Sequence, residues 1–525
     1  MVGLLSLVFH GWVRGELQIQ KHWIYFSTNL WVDKNVDELE TIFRRAAKAG
    51  YNGVLLTDSK FGRLGEMDAH YFQNISRVKR IAAELQLEIV PAVFPIGYSE
   101  SLLGHDSNLA EALPVREALF VVRNGEARPA VDPVPELRFS WKDDCWRSDG
   151  AGWRVTGPSG HNARVVFQVK VTPFRQYHIS VRAAAQDFRG TPEVKVLAGS
   201  HQLNYASLGV KPTQDWRQHH IVFNSLTNSE VNVYFGCWDG QTGSLAWRDP
   251  KIEEAGLLNV VRRDGAPLVV QREDGQALVE GRDFEAVADP RMGTVPWKGA
   301  YEVWHEPPAI RTKGLPDGMR LRVSYYHAIT SGDGQVMICP SEPKTVELLR
   351  DEARRVHAAW GAKGYFMSHD EIRVLNWDES CARRHLDAGA ILADNVRTCT
   401  QILRQLNPGG DIYIWSDMFD PGHNAHKDYY LVRGDLAGSW AGLDKDVIIC
   451  AWYFEKRDQS LKWFADRGHR QIIAGYYDAP PEQVRLWLDS ARKTPGIIGM
   501  IYTTWQHNYV DMERFADILR EKQGK

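Results

Sequence analysis

Short apolar runs alternate with amphipathic helices from Trp23 onwards, stop near residue 135 and resume after about residue 315. This alternation is typical of βα units around a parallel sheet. Three strands are predicted before the interruption and five after it, which together make the eight strands of a (β/α)8 TIM barrel, an α/β fold. The predicted strands are Trp23–Leu30, Gly53–Asp58, Glu88–Phe94, Tyr365–His369, Asp411–Trp415, Val447–Trp452, Gln471–Tyr476 and Ile497–Thr503.

The interruption has a different periodicity from the barrel. Short alternating segments replace the helical pattern between Pro135 and about Leu315, which is typical of an antiparallel β-sandwich. A ninth apolar run, Leu321–Tyr326, is assigned to the return from this insertion; if it were barrel strand four, every later strand number would shift by one. The expected domains are the first part of the barrel at 1–134, an inserted sandwich resembling a carbohydrate-binding module at 135–256, a small β linker module at 257–315 and the rest of the barrel at 316–525.

The insertion is rich in tryptophan, and two interpretations of these residues stay open. Flat aromatic faces suit the apolar C–H surface of a pyranose ring, so the tryptophans could line a sugar-binding face. Packing in the core of the sandwich explains them equally well. The residues are Trp141, Trp146, Trp153, Trp216, Trp238 and Trp247.

Charge and composition narrow the class of partner. The chain has 525 residues, of which 44% are hydrophobic, so it can bury several cores. Its 63 basic and 66 acidic residues give a net charge of only -3, so no overall field favours nucleic acid or an anionic membrane. A neutral partner is therefore expected, while the oligomeric state is left open by the sequence.

Cysteine and histidine spacing gives no sign of a metal site. The six cysteines lie far apart, without a CxxC pair or a Cys/His ligand pattern, so we expect them to be reduced and neither a zinc site nor a disulfide framework to form. His423 and His426 share a loop but lack a second matched pair. The sequence therefore predicts no metal and no cofactor.

The apolar stretch Val2–Val13 bears on localisation. It lacks a basic start and is too short to span a bilayer, although it could be the remnant of a signal peptide. Localisation thus stays open between the cytoplasm and secretion or the periplasm.

Two adjacent carboxylates, Asp370 and Glu371, directly follow the predicted strand Tyr365–His369. Active sites of (β/α)8 barrels lie at the carboxyl ends of the strands. Like charges and partial burial raise the pKa of one carboxyl group, which can then donate a proton near neutral pH. The alternative is structural, with Asp370 capping the next helix and Glu371 solvated.

Aromatic residues at the ends of the later strands favour the catalytic interpretation. Four successive strands each deliver one aromatic ring to the same face, which would build a cage about one sugar wide. These residues are Trp415, Trp452, Tyr476 and Trp505.

The segments Cys339–Leu349 and Tyr365–Glu371, together with these aromatics, resemble the β-N-acetylhexosaminidases of glycoside hydrolase family 20. The resemblance implies an oligosaccharide or glycoconjugate substrate, with Glu371 as general acid. It implies that Asp370 orients the substrate's 2-acetamido group, whose carbonyl oxygen attacks the anomeric carbon in place of an enzyme nucleophile. By the same resemblance Tyr476 binds the acetamido oxygen and Asp478 a sugar hydroxyl, while Trp415, Trp452 and Trp505 form the acetamido pocket and the sugar platform.

The sequence also departs from the family pattern. Ser368 and His369 stand where two glycines usually precede the Asp-Glu pair, and the first strand lacks the arginine that normally grips ring hydroxyls. Gln506 and His507 replace an acidic residue expected after the last-strand tryptophan. We therefore expect a divergent relative, acting on N-acetylglucosamine, N-acetylgalactosamine or another sugar.

Four further residues are candidates for substrate contact: His369, Asp417, Asn29 and Asp58. Each follows or ends a predicted strand, although Asp417 could equally cap its loop. Two other functions stay open. One is a glycosidase that acts on a non-acetylated sugar through a protein nucleophile such as Asp417 or Glu455. The other is a non-catalytic sugar-binding protein on a decayed barrel.

Overall fold

The computed structural model describes residues 19–130, 134–150, 152–158, 162–332 and 334–523. The stretch Val2–Val13, interpreted above as a signal-peptide remnant, lies outside the described residues. Within them, none of the helices combines the length and the apolar character needed to cross a bilayer.

A closed barrel of eight parallel strands forms the larger part of the chain, as the sequence predicts. Each strand pairs with the next, and the last pairs with the first through Lys21–Ile24 and Gly499–Tyr502. The strands are β1 Lys21–Thr28, β2 Gly53–Asp58, β3 Glu88–Val93, β4 Gly364–Met367, β5 Asp411–Trp415, β6 Ile448–Ala451, β7 Gln471–Ala474 and β8 Ile497–Tyr502.

Helices cover the outside of the barrel. They are α1 Asp33–Lys48, α2 Ala69–Glu84, α3 Pro343–Trp360, α4 Ala388–Leu406, α5 Arg457–Ala465, α6 Val484–Ala491 and α7 Met512–Gln523. Between β5 and β6 the usual α-helix is replaced by the 3₁₀ turn Ser439–Gly442, which packs on α4. Because the strands are buried both by these helices and by the side chains inside the barrel, they read as continuous apolar runs. The interior is closed by rings such as Trp23 and Tyr413, whose centroids lie 5.0 Å apart.

The sheet next to the barrel corrects two of the predicted domain boundaries. Residues 113–129, expected in the first part of the barrel, and residues 320–327, expected in its second part, pair with each other in a separate seven-stranded sheet. The assignment of Leu321–Tyr326 to the return from the insertion is thereby confirmed. The strands are Leu113–Arg123, Glu126–Pro129, Val260–Val261, Val269–Arg272, Ala277–Leu278, Ile310–Arg311 and Arg320–His327.

A second, eight-stranded antiparallel sheet is built on two long paired strands, Gln176–Ala198 and Glu230–Glu254. Register shifts between Gln186 and Thr191 break this pair into two halves, and aromatic side chains of different strands meet between them. The remaining strands are Arg138–Lys142, Arg147–Asp149, Gly152–Thr156, Ala163–Lys170, His201–Gln202 and Gln214–Asn224.

The tryptophans of this sheet divide between the two interpretations. Trp146 and Trp247 are fully buried and belong to the core. Trp141 is exposed, and Trp216 and Trp238 carry the cations of Arg248 and Lys195 on their faces at 4.0 Å. Core packing therefore explains the first two, whereas the other three keep surface available.

Candidate active site

The acidic pair, Asp370 and Glu371, lies just beyond the carboxyl end of β4. Glu371 adopts a left-handed backbone conformation with φ of 47°. Such a conformation is costly for a residue with a side chain and persists only where the surrounding structure enforces it, which is common at functional sites. Here the backbone N–H of Glu371 donates to Oδ2 of Asp417 at 2.9 Å, so β5 fixes the turn that follows β4.

Asp417 is fully buried and is held by three donors. Besides the Glu371 amide, Asn424 Nδ2 donates to Oδ2 at 2.9 Å and Trp452 Nε1 lies 3.4 Å from Oδ1. Burial raises the pKa of Asp417, and the hydrogen bond from Glu371 opposes that shift. With its oxygens engaged in this way, Asp417 acts as a support for the acidic pair.

The Glu371 carboxylate is gripped on one oxygen. The hydroxyl of Tyr98 donates to Oε2, and Arg373 Nη2 lies 2.7 Å from the same atom. Within the described part of the chain, nothing hydrogen-bonds Oε1. The side chain is 25% exposed, so this second oxygen is left for a ligand in the pocket.

The Asp370 carboxyl has a different environment. No other residue in the described ranges donates a hydrogen bond to it. Burial raises its pKa, and the negative charges of Asp417 and Glu371 raise it further. The residue as a whole is nevertheless partly exposed. The raised pKa expected of one member of the pair therefore falls on Asp370, and its oxygens remain open to a ligand.

Gly97, in the loop after β3, allows the strand ends to approach closely. A Cβ at this position would lie 1.9 Å from the carbonyl oxygen of Asp370. Gln335 joins the two segments, since its Nε2 donates to the carbonyl oxygens of Gly97 at 2.8 Å and Glu371 at 2.9 Å. In the family pattern two glycines before the Asp-Glu pair allow a close approach; here Ser368 and His369 stand there, and a glycine in the loop after the neighbouring strand β3 allows it instead.

An aromatic wall stands beside the acidic pair. Ring centroids of Trp505 lie 5.0 Å from Tyr25, 5.8 Å from Trp415 and 5.9 Å from Tyr477. Trp452 and Tyr477 are nearly parallel at 5.7 Å. The predicted gathering of Trp415, Trp452 and Trp505 at one end of the barrel is therefore observed.

Tyr476, predicted to bind substrate, faces away from this wall. It is buried, stacks on Tyr502 at 4.1 Å and donates its hydroxyl to Asp511 at 3.1 Å. The next residue, Tyr477, is 47% exposed and joins the aromatic wall. Because successive side chains of an extended chain point to opposite faces, an error of one residue exchanges the buried tyrosine for the accessible one.

Two other predicted contacts have structural roles. His369 is fully buried, with Nε2 2.9 Å from Asn395 Oδ1, and burial lowers its pKa to about 4, so it is neutral and lies behind the strand. Asp58 accepts hydrogen bonds from the amides of Leu30 and Lys60 and from the hydroxyl of Tyr71. Both side chains are therefore committed to packing.

Asn29 and Asp478 organise loops at the pocket end. Asn29 Oδ1 accepts the amide of Trp31 at 3.0 Å. Asp478 accepts the Thr504 hydroxyl at 2.6 Å and the amide of Trp505 at 2.8 Å, so it holds the loop that carries the exposed tryptophan.

Three residues that contact or face the site were missed by the sequence analysis: Tyr98, Arg373 and Tyr477. Arg373 is two residues beyond Glu371, which was a usable signal for a cation beside the acid. Tyr98 comes shortly after β3, and its loop position gave no periodic signal.

A groove of about 480 Å³ connects the insertion with this site. On the barrel side it is lined by Arg373 and Tyr430, whose ring lies 4.9 Å from the guanidinium carbon. On the other side Tyr205 places its ring 4.3 Å from that of Tyr430, and Gln202 and Asn204 line the groove next to it. The insertion therefore reaches the arginine that grips Glu371.

No protein-family profile and no curated protein sequence matches the chain. Similar solved structures include the β-N-acetylhexosaminidase from Bacteroides fragilis, with 9% identity over 96% of this chain and 66% of that chain and a TM-score of 0.40. The tandem family 20 catalytic modules of the pneumococcal exo-β-D-N-acetylglucosaminidase give 9% identity over 98% and 90%, with a TM-score of 0.35. An exo-β-1,4-mannosidase from Opitutaceae bacterium strain TAV5 gives 10% over 97% and 62%, with a TM-score of 0.36. Since a TM-score below 0.5 does not establish a shared fold, the function proposed below depends on the residues of the pocket.

Replacing Gly97 with alanine tests the close approach of the strand ends. Gly97→Ala should destabilise the protein by about 1–3 kcal/mol, the usual cost of forcing atoms into a packed site, as measured by denaturant unfolding. The control is Gly475→Ala, where a Cβ would meet only side-chain atoms of Phe515 and Met500, at 3.3 and 3.5 Å. Unchanged stability of Gly97→Ala would contradict the described contact.

Proposed function

We propose that this protein is a glycoside hydrolase, and specifically a retaining, exo-acting β-N-acetylhexosaminidase that uses substrate-assisted catalysis. The observation that carries the proposal is the division of roles within the acidic pair. Glu371 is gripped at Oε2 and keeps Oε1 available, while Asp370 has no hydrogen-bond donor from any other described residue. A substrate that offers both a glycosidic oxygen and an amide N–H complements these two groups.

In the proposed reaction Glu371 protonates the glycosidic oxygen as the bond to the anomeric carbon breaks. Asp370 accepts a hydrogen bond from the acetamido N–H and so directs the acetamido carbonyl oxygen onto that carbon, which gives an oxazolinium ion. Glu371, now ionised, takes a proton from water as the water oxygen attacks the same carbon. Two displacements give the sugar with its configuration retained.

The aromatic wall supplies the remaining recognition. Trp505 and Tyr477 expose ring faces on which the apolar side of a pyranose can stack. In this proposal Tyr477, in place of Tyr476, is the tyrosine that meets the acetamido group. Asp417 is an unsuitable nucleophile because its oxygens are engaged by Glu371, Asn424 and Trp452.

The eight-stranded sheet is proposed as an inserted β-sandwich module that forms a wall of the active site. Tyr205 and Tyr430 line the groove that runs to Arg373, so an extended aglycone could lie there. Arg373, from the loop after β4, lies at the end of this groove and supplies a cation near the site in a chain whose first strand lacks arginine.

The proton-donor role is tested with Glu371→Gln. The variant should lose about 10²–10⁴-fold in kcat on substrates with poor leaving groups, the usual contribution of general acid catalysis, and less on activated aryl glycosides. Glu347→Gln, an exposed residue of the outer helix α3, is the matched control. Turnover of a poor-leaving-group substrate near the wild-type rate would remove Glu371 from this role.

The substrate-assisted step is tested with a thiazoline analogue of the oxazolinium ion. Competitive inhibition is expected, with tighter binding than substrate, because enzymes bind mimics of high-energy species preferentially. Asp370→Asn should weaken this inhibition. If saturating thiazoline leaves the rate unchanged, or if only non-acetylated nitrophenyl glycosides are hydrolysed, the mechanism is wrong.

The groove is tested with Tyr205→Ala. Loss of one stacking ring, worth about 0.5–1.5 kcal/mol, should lower kcat/KM on an extended glycan by roughly threefold to tenfold and leave a small aryl glycoside unaffected. Trp141→Ala, which removes an exposed ring of the eight-stranded sheet away from the groove lining, is the control. An effect of Trp141→Ala alone would indicate that the module recruits polymer without lining the site.

A further inference from the structure

Four potential metal ligands meet in the interior beside the catalytic loop. The residues are Glu111, Cys339, Asp378 and Cys381, and their ligand atoms all lie within 4.8 Å of one another. Each side chain is almost completely buried, with at most 2% of its surface exposed. They come from three separate segments: the connection that follows β3, the segment that leads into α3, and the loop after β4.

The observed spacing matches a tetrahedral zinc site. Zinc–sulfur bonds of about 2.3 Å and zinc–oxygen bonds of about 2.0 Å place two sulfur ligands about 3.8 Å apart and a sulfur and an oxygen about 3.5 Å apart. The sulfurs of Cys339 and Cys381 are 3.6 Å apart, and Cys381 Sγ is 3.5 Å from Glu111 Oε2. Since all the ligand atoms lie within 4.8 Å of one another, any pair would have to close by at most about 1.5 Å, the case of two oxygens about 3.3 Å apart on zinc.

The two carboxylate ligands are already held in place by groups around the cluster. The backbone N–H of Trp377 donates to Glu111 Oε1 at 2.9 Å, and that of Cys381 donates to Asp378 Oδ1 at 3.0 Å. Arg263 pairs with Asp378 Oδ2. Carboxylates that bind metals are commonly fixed by such outer partners.

Glu111 Oε2 is the second observation that points to a missing cation. This oxygen belongs to a fully buried carboxyl group, which besides the Trp377 amide meets the thiols of Cys381, at Oε2, and of Cys339, both of them weak donors. A buried carboxylate oxygen normally has a strong donor or a cation beside it. The two cysteine sulfurs are soft ligands, which favours zinc over calcium or magnesium.

We propose that Glu111, Cys339, Asp378 and Cys381 bind one structural zinc ion. Binding would release the two thiol protons, so that two thiolates and two carboxylates surround Zn²⁺ in a closed, four-coordinate site. The ion would tie the loop that carries Glu371 and Arg373 to the segments on either side of the insertion. It would touch no substrate and take no part in the reaction.

The test is the metal content of the full chain, purified without chelator from zinc-supplemented medium. About one zinc per chain is expected by plasma mass spectrometry, with release by a mercurial reagent in step with the modification of two cysteines. Cys381→Ser should lose the zinc, whereas Cys399→Ser, which removes a buried cysteine outside the cluster, should keep it. Removal of zinc by a chelator should lower the unfolding temperature, and added zinc should restore it.

The wild-type protein decides the question even if Cys381→Ser does not fold. The proposal is overturned if wild-type chain incubated with excess zinc stays free of bound metal. It is also overturned if intact mass shows the chain two hydrogens lighter through a Cys339–Cys381 disulfide, or if zinc is released without modification of any cysteine.

Discussion

The hydrogen bond from the Glu371 amide to the buried Asp417 carboxylate determines how β4 presents its two acidic side chains. It holds the backbone of Glu371 in a left-handed conformation, so that the side chains of Asp370 and Glu371 lie in different environments. One carboxylate then meets Tyr98 and Arg373, and the other has no donor among the neighbours that the structure describes. Two identical functional groups thereby acquire different chemistry.

The insertion is part of this arrangement. Gln335, on the segment that returns from it, joins the carbonyl oxygens of Gly97 and Glu371. Tyr205, from a connection between strands of the inserted sheet, packs on Tyr430 under the guanidinium of Arg373. The loops after β3 and β4 are therefore fixed partly by residues far from them in sequence.

The sequence predicted the eight barrel strands because strands buried on both faces are continuous apolar runs between helices. The boundary at residue 134 was wrong, although Asn124-Gly125, with positive φ at both residues, is a strong hairpin signal that identifies 113–129 as antiparallel.

The sequence could not decide whether Tyr476 or Tyr477 faces the site, since the alternation of side chains depends on where the strand ends. Asp58 and His369 were misinterpreted because their partners, such as Tyr71 and Asn395, are fixed only by tertiary packing. The cluster of Glu111, Cys339, Asp378 and Cys381 could not be predicted, because its residues come from separate segments and form no local ligand motif.

The central claim is that the substrate's own acetamido oxygen attacks the anomeric carbon. The most direct measurement is kcat/KM for a series of aryl N-acetylhexosaminides with none, one, two or three fluorines on the acetyl group. Fluorine withdraws electrons from the carbonyl oxygen, so the account predicts a steep, progressive fall in rate along the series. A rate independent of fluorination would contradict it and point to a nucleophile on the protein.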